Sequence, residues 1–203
     1  MPNLPDPILL TAVLGLMALA PFLALMVTSY TKLVIVLGML RMALGLQQVP
    51  PNMVLNGIAI IISIFVLAPV GMEAGEAIQK VQFSKGAMRF EDLTKVLDAG
   101  SGPLKTFLNK HTAERERRLF MKTATHIWPK ERAEALKPDD LLVLIPSFTL
   151  SELTAAFKIG FLLYLAFVII DLIVGNVLLA LGMMMVSPTV VSVPFKLLLF
   201  VSL

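Results

Sequence analysis

Four charged side chains stand in the long apolar C-terminal part of this 203-residue chain: Glu152, Lys158, Asp171 and Lys196. A charge placed in hydrocarbon is costly, so such groups face protein or water and find a partner. Two acids and two bases in one region can do two kinds of chemistry. They can form buried ion pairs that fix how helices or subunits dock, or Glu152 and Asp171 can relay protons. Carboxylates are too short to reach a membrane surface, so pairing is expected for them, and the pair expected is Glu152 with Lys196. Lys158 lies thirteen residues from Asp171 in one apolar run, too far to meet it on a single helix, so Asp171 is expected to meet a neighbouring segment. Lys158 and Lys196 can instead snorkel to the membrane surface. Lys32 and Arg41 pose the same question nearer the N-terminus, and their spacing leaves it open.

A second feature is chemical in a softer sense. Met183, Met184 and Met185 follow Gly182 and precede Val186, Ser187 and Pro188. Methionine is unbranched and deformable, so a cluster of it can fill an irregular gap and re-pack when something pushes through. Gly182 and Pro188 interrupt a helix at this point. A soft apolar plug on a loop at membrane depth suggests a gate. On spacing alone, the favoured reading of the same residues is ordinary core filler packed against neighbouring apolar helices.

Other chemistry is sparse. The chain has no GxSxG, HExxH, GxGxxG or P-loop pattern. It has no Cys, which removes disulfides, thiolate metal sites and a thiol nucleophile. His111 and His126 lack a third ligand at metal spacing and read as surface or capping residues. Trp128-Pro129 reads as an interfacial or packing aromatic. No cofactor, metal or enzymatic activity is expected.

The elements that position these residues follow from composition. The chain is 57% hydrophobic and only 15% charged, with a mean hydropathy of +0.85. A soluble domain carries about 25% charged residues, so this is a membrane-protein composition. The net charge of +3 is small and scattered, which argues against nucleic acid as a partner. Residues 73–140 hold 24 of the 31 charges. The chain therefore divides into N-terminal hydrophobic helices (1–72), a hydrophilic helical subdomain (73–140) and a C-terminal hydrophobic hairpin with the methionine loop (141–203).

Within the first part, Ile8 to Val27 is an apolar run interrupted by Pro21. Leu33–Leu46 and Met53–Met72 follow, joined by a turn at Pro50-Pro51 into a helical hairpin over 31–72. In the hydrophilic part, His111–Thr125 reads as a solvated helix and Lys130–Lys137 as a short one between Pro129 and Pro138. Gly100-Ser101-Gly102-Pro103 reads as a break between helices. In the last part Pro146-Ser147 interrupts the apolar run, and a final helix begins near Val190. No segment alternates like a strand. The first seven residues lack a basic stretch, so no cleaved signal peptide is expected. The apolar run Phe195–Leu203 has no polar flank, which leads us to expect further chain beyond it.

Four stretches together point to a family: Thr28–Leu33 leading to Leu40-Arg41; Gly45–Asn52; Pro146–Leu153 through Ala156–Phe161; and Ile170-Asp171 followed by Asn176–Ala180 and Gly182–Pro188. In order and spacing they resemble the FliP/SctR family of type III secretion export-apparatus proteins, whose members are also called YscR or HrcR. The chain departs from that pattern at Ser147, where the family often has Ala, and at Ala166, where it often has Pro. The lack of a signal sequence looks more like the injectisome branch than the flagellar one. The resemblance implies an all-α pore complex of five copies that joins SctS and SctT, with SctU and SctV nearby. Unfolded secreted proteins would cross the bacterial inner membrane through it, and much of the assembly would lie on the periplasmic side. Met183–Met185 would then be the gasket of the pore, and Glu152, Asp171 and Lys196 would match charges tied to assembly. Two other readings of the residues stay open: a monomeric proton-coupled transporter and a non-conducting assembly scaffold.

Overall fold

A computed structural model describes residues 7–46, 48–81 and 90–202. Eight helices make up the described chain and no strand occurs among the described residues. They are α1 (Pro7–Val27), α2 (Tyr30–Ala43), α3 (Asn52–Gln79), α4 (Phe90–His111), α5 (Glu114–Ile127), α6 (Lys130–Ala135), α7 (Leu141–Ala180) and α8 (Pro188–Ser202). Three of them, α1, α3 and α7, are long and apolar enough to cross a membrane. At 1.5 Å per residue, 40-residue α7 is about 60 Å long, roughly twice the hydrocarbon thickness of a bilayer. Hydropathy therefore cannot say which part of α7 meets lipid.

Helix continuity differs from the sequence reading at three prolines. Pro21, Pro103 and Pro146 were each expected to interrupt an element, yet each lies inside a continuous helix. A proline removes one i to i−4 hydrogen bond and crowds the preceding turn. At Pro146 packing offsets that loss, whereas Pro21 lies among exposed residues of α1. Around Pro146, the side chains of Val143, Leu144, Ser147 and Phe148 are all buried. At the Gly100–Pro103 segment neither glycine has positive φ, so both continue the helix. A side chain at Gly100 would lie 3.4 Å from Ile78 Cδ1 on α3, in ordinary contact. Two further boundaries shift. His111 closes α4 instead of opening α5, and α6 stops at Ala135, two residues short of the expected end.

The chain packs as two units, Met1–Thr31 with Ser63–Glu152, and Lys32–Ile62 with Leu153–Leu203. The first unit is built around Leu108, Leu144 and Phe148, with Val27, Leu104, Phe107, Leu141 and Ile145 packed on them. Asp140 sets the start of α7. Its carboxylate accepts from the Lys137 N–H at 2.8 Å, and its carbonyl accepts from Leu144 N–H at 2.8 Å. A serine ladder on α7 then reaches α5. Ser147 Oγ donates to the Val143 carbonyl, Ser151 Oγ donates to the Ser147 carbonyl, and Ser151 Oγ accepts the Ala113 N–H at 3.0 Å. Ala113 is the N-cap of α5 and has no side-chain cap of its own, so α7 supplies the missing acceptor.

Phe148→Ala removes the largest side chain of the first core and is expected to destabilise the protein by about 3–5 kcal/mol. Thermal unfolding in mild detergent reads this as a lowered midpoint. Leu142→Ala, at an exposed position six residues earlier in α7, leaves the midpoint nearly unchanged.

Candidate functional site

The second unit brings α2, α7 and α8 together at one buried ammonium. Lys196 on α8 is 1% exposed. Its Nζ donates to Asp171 Oδ2 at 2.7 Å and to the Ala43 carbonyl at 3.0 Å. The other Asp171 oxygen accepts a hydrogen bond from Ser192 Oγ, one turn before Lys196 on α8. Ala43 is the last residue of α2, so its carbonyl is one of those that a helix leaves without an internal partner. A cation there also meets the negative end of the α2 dipole. Apolar packing closes over the polar contact. Ala43, Leu44 and Phe167 are buried together, with Leu40, Leu46, Ile170 and Leu199 against them.

The expected pairing of Glu152 with Lys196 is thereby corrected: the partner of Lys196 is Asp171. The reason is hairpin register. Counting eight residues from the start of α8 to Lys196, and the same number back from the end of α7, lands at Leu172, beside Asp171. Glu152 lies nineteen residues further back, about 28 Å along a helix. That count was available from the sequence once both ends of the loop were known. The expectation that Asp171 meets a neighbouring segment agrees with its place against α8. Ser192 and the Ala43 carbonyl were missed, because neither a serine nor a backbone oxygen stands out in an apolar run.

Glycines permit the helices to close. A side chain at Gly160 on α7 would collide with Met39 Sδ on α2, whereas one at Gly175 would meet Pro188 at 3.6 Å, an ordinary contact distance. Small residues let apolar helices approach in this way. Gly45 and Gly182 act differently, being the two residues with positive φ, at 80° and 73°. Each ends its helix with the same pair of bonds. Gly45 N–H donates to Met42 and Leu46 N–H to Arg41, while Gly182 N–H donates to Leu179 and Met183 N–H to Leu178. This pair of hydrogen bonds closes a helix on a left-handed residue, and glycine adopts that conformation at no steric cost.

The methionine loop starts from the second of these caps. Met183 is 45% exposed, Met184 81% and Met185 100%. Val186 N–H reaches back to the Met183 carbonyl at 3.4 Å, and the Ser187 and Thr189 hydroxyls are bonded to each other. Pro188 is the first residue of α8, where its missing N–H costs nothing. The loop is thus short, fixed at both ends, and bare in its middle. The ion pair lies about two and a half helical turns below it.

The remaining sequence-predicted residues are placed as follows. Arg41 Nη1 donates to the Pro50 carbonyl at 3.0 Å, tying the last turn of α2 to the loop before α3. The Pro51 carbonyl accepts from Val54 and Leu55 and so opens α3. Lys158 is exposed on α7, and Glu152 is buried there. Lys32 is half-buried on α2. None of these four charges joins the Asp171–Lys196 cluster.

Long apolar helices, small-residue contacts and a buried ion pair define a helical membrane protein with several candidate spans. Comparison with known proteins makes this specific. The FliP family matches residues 13–203, and the chain belongs to that family. It is 58% identical to the hypersensitivity response secretion protein HrcR of Ralstonia nicotianae, over 91% of this chain and 85% of that one. It is 48% identical to the Yop proteins translocation protein R of Yersinia pestis, over 99% and 92%. The virulence protein YscR of Salmonella typhimurium is 44% identical, over 98% and 91%.

Asp171→Asn leaves Lys196 buried without its counter-charge and is expected to cost about 3–5 kcal/mol. Adding Lys196→Met removes the orphaned charge, so the double variant regains most of that loss. Thermal midpoints of both variants in one detergent check this. Equal losses in the single and double variants would show that the pair itself is not the source.

Proposed function

We propose that this chain is a core subunit of a type III secretion export gate. It forms and seals the pore through which unfolded needle and effector proteins cross the bacterial inner membrane. The observation that carries the reading is the bare methionine loop at the tip of an ion-paired hairpin. Kinship supports it, since the relatives are named for secretion and translocation. Thioether side chains from several copies make a ring that is apolar enough to exclude ions and soft enough to deform around a passing chain.

In this reading five copies assemble with SctS and SctT, and SctU and SctV join the same apparatus. Residues 73–140 form a periplasmic helical subdomain between the hydrophobic parts 1–72 and 141–203. Lys32, Arg41, Glu152, Lys158, Asp171 and Lys196 serve assembly, with Asp171 and Lys196 doing so by fixing the shape of each subunit's hairpin. Gly182, Pro188, Pro50 and Pro51 shape the two loops. The protein works by packing and gating, without catalysis.

Two measurements test this. Native mass in mild detergent is expected to be a multiple of the 22.1 kDa chain that grows when SctS and SctT are co-expressed. A persistent monomer in both cases would favour a carrier. In the assembled complex, changing Met183, Met184 and Met185 together to Ala is expected to raise resting ion conductance with subunit composition unchanged. Conductance equal to that of the wild type would remove the methionines from the gate.

A further inference from the structure

The chain contains no Cys, so its only sulfur is thioether sulfur. Among the methionines, Met184 and Met185 are held in the open by a loop that is pinned at both ends. Among the described residues Met42 is also exposed, in the last turn of α2, whereas the exposed Met17, Met26, Met53 and Met72 lie on helices long and apolar enough to cross a membrane. There, hydrocarbon excludes a polar oxidant. The loop methionines face the opposite situation, because a gate lies along a water-filled path. Met39 is shielded differently, packed where α2 crosses Gly160.

We propose that Met184 and Met185 are oxidation sites, and that their conversion to sulfoxides by a hydroperoxide unseals the pore reversibly. The oxidation step is a simple two-electron transfer. The thioether sulfur attacks one peroxide oxygen, an S–O bond forms as the O–O bond breaks, and hydrogen peroxide leaves as water. Sulfur is oxidised and the peroxide reduced, with no further reactant. The product is a polar, chiral group where an apolar one stood. A polar group cannot pack against apolar neighbours without a hydrogen-bond partner, so it draws water into the seal. Methionine sulfoxide reductases reverse the change. The inference rests on the gate reading above and adds a chemical control to it.

The test uses the assembled complex in liposomes treated with hydrogen peroxide. Peptide mass mapping reads which methionines gain one oxygen, and ion leak is followed in parallel. In the wild type we expect oxygen to enter at Met184 and Met185 ahead of Met17, Met26 and Met72, leak to rise several-fold, and reductase treatment to restore the seal. The triple variant Met183→Leu, Met184→Leu, Met185→Leu keeps an apolar loop that cannot be oxidised, and its leak is expected to stay flat. Oxidation that spares the loop overturns the proposal, as does a peroxide-induced leak in the leucine variant. If the loop is oxidised without leak while the alanine variant of the same residues does leak, the proposal fails and the gate reading stands. If both remain tight, the gate reading itself fails.

Discussion

A buried ammonium has few ways to be tolerated, and Lys196 uses them in a manner that organises the unit around it. Its charge is met by Asp171 on α7, and the Ala43 carbonyl takes a second N–H at the end of α2. Three helices are therefore referenced to one atom. Between apolar helices in an apolar solvent, hydrophobic burial gives little preference for one register over another. A paired charge does give one, because sliding α8 by one turn would strand both ions. Ser192, one turn earlier, occupies the remaining Asp171 oxygen and makes the same register the satisfied one for the acid. The close contact of Gly160 with Met39 is then a consequence of helices already held in place.

The methionine loop inherits its position from this arrangement. Gly182 ends α7 with the cap bonds to the Leu178 and Leu179 carbonyls, and Pro188 starts α8. Only five residues separate them, so the loop has little freedom to wander. Its backbone is fixed while its side chains remain unbranched and flexible. That combination suits a seal, which needs an accurately placed base and a compliant surface. The same glycine-ended cap at Gly45 turns α2 toward the Pro50-Pro51 loop, where Arg41 fastens it. The two caps are thus the points where the apolar helices change direction.

How far the sequence was legible follows from which forces are local. Apolar runs and the glycine and proline residues that break them are local signals, and most helices and both hairpin loops were readable from them, whereas the left-handed φ of Gly45 and Gly182 and the exposure of Met184 and Met185 were not. Pro103 and Pro146 were misread as breaks for the complementary reason, and Pro21 continues its helix without such packing. The cost of a proline is local and visible in sequence, whereas the packing that offsets it is not. Burial of Leu144 and Phe148 beside Pro146 depends on Leu104, Phe107 and Leu108 from α4, which no window around Pro146 contains. The partner of Lys196 was misjudged because charge type cannot separate two acids on one helix. Register can separate them, but only after loop ends are known to the residue.

Exposure has to be interpreted differently in different parts of this molecule. Most large apolar side chains on α1, α3 and the later part of α7 are exposed in the single chain. On helices of membrane length this is the ordinary condition of a lipid-facing surface, and it identifies no site. The loop cannot be explained that way. Its backbone is irregular, and irregular backbone is not stable against lipid, because its polar groups would lack partners there. At membrane depth it belongs within protein or along a water-filled cavity. In the gate reading, three thioethers on such a backbone are apolar groups at a boundary with water. Their exposure, unlike that of the helices, calls for contacts with other protein, and like loops from further copies of this chain would satisfy that need.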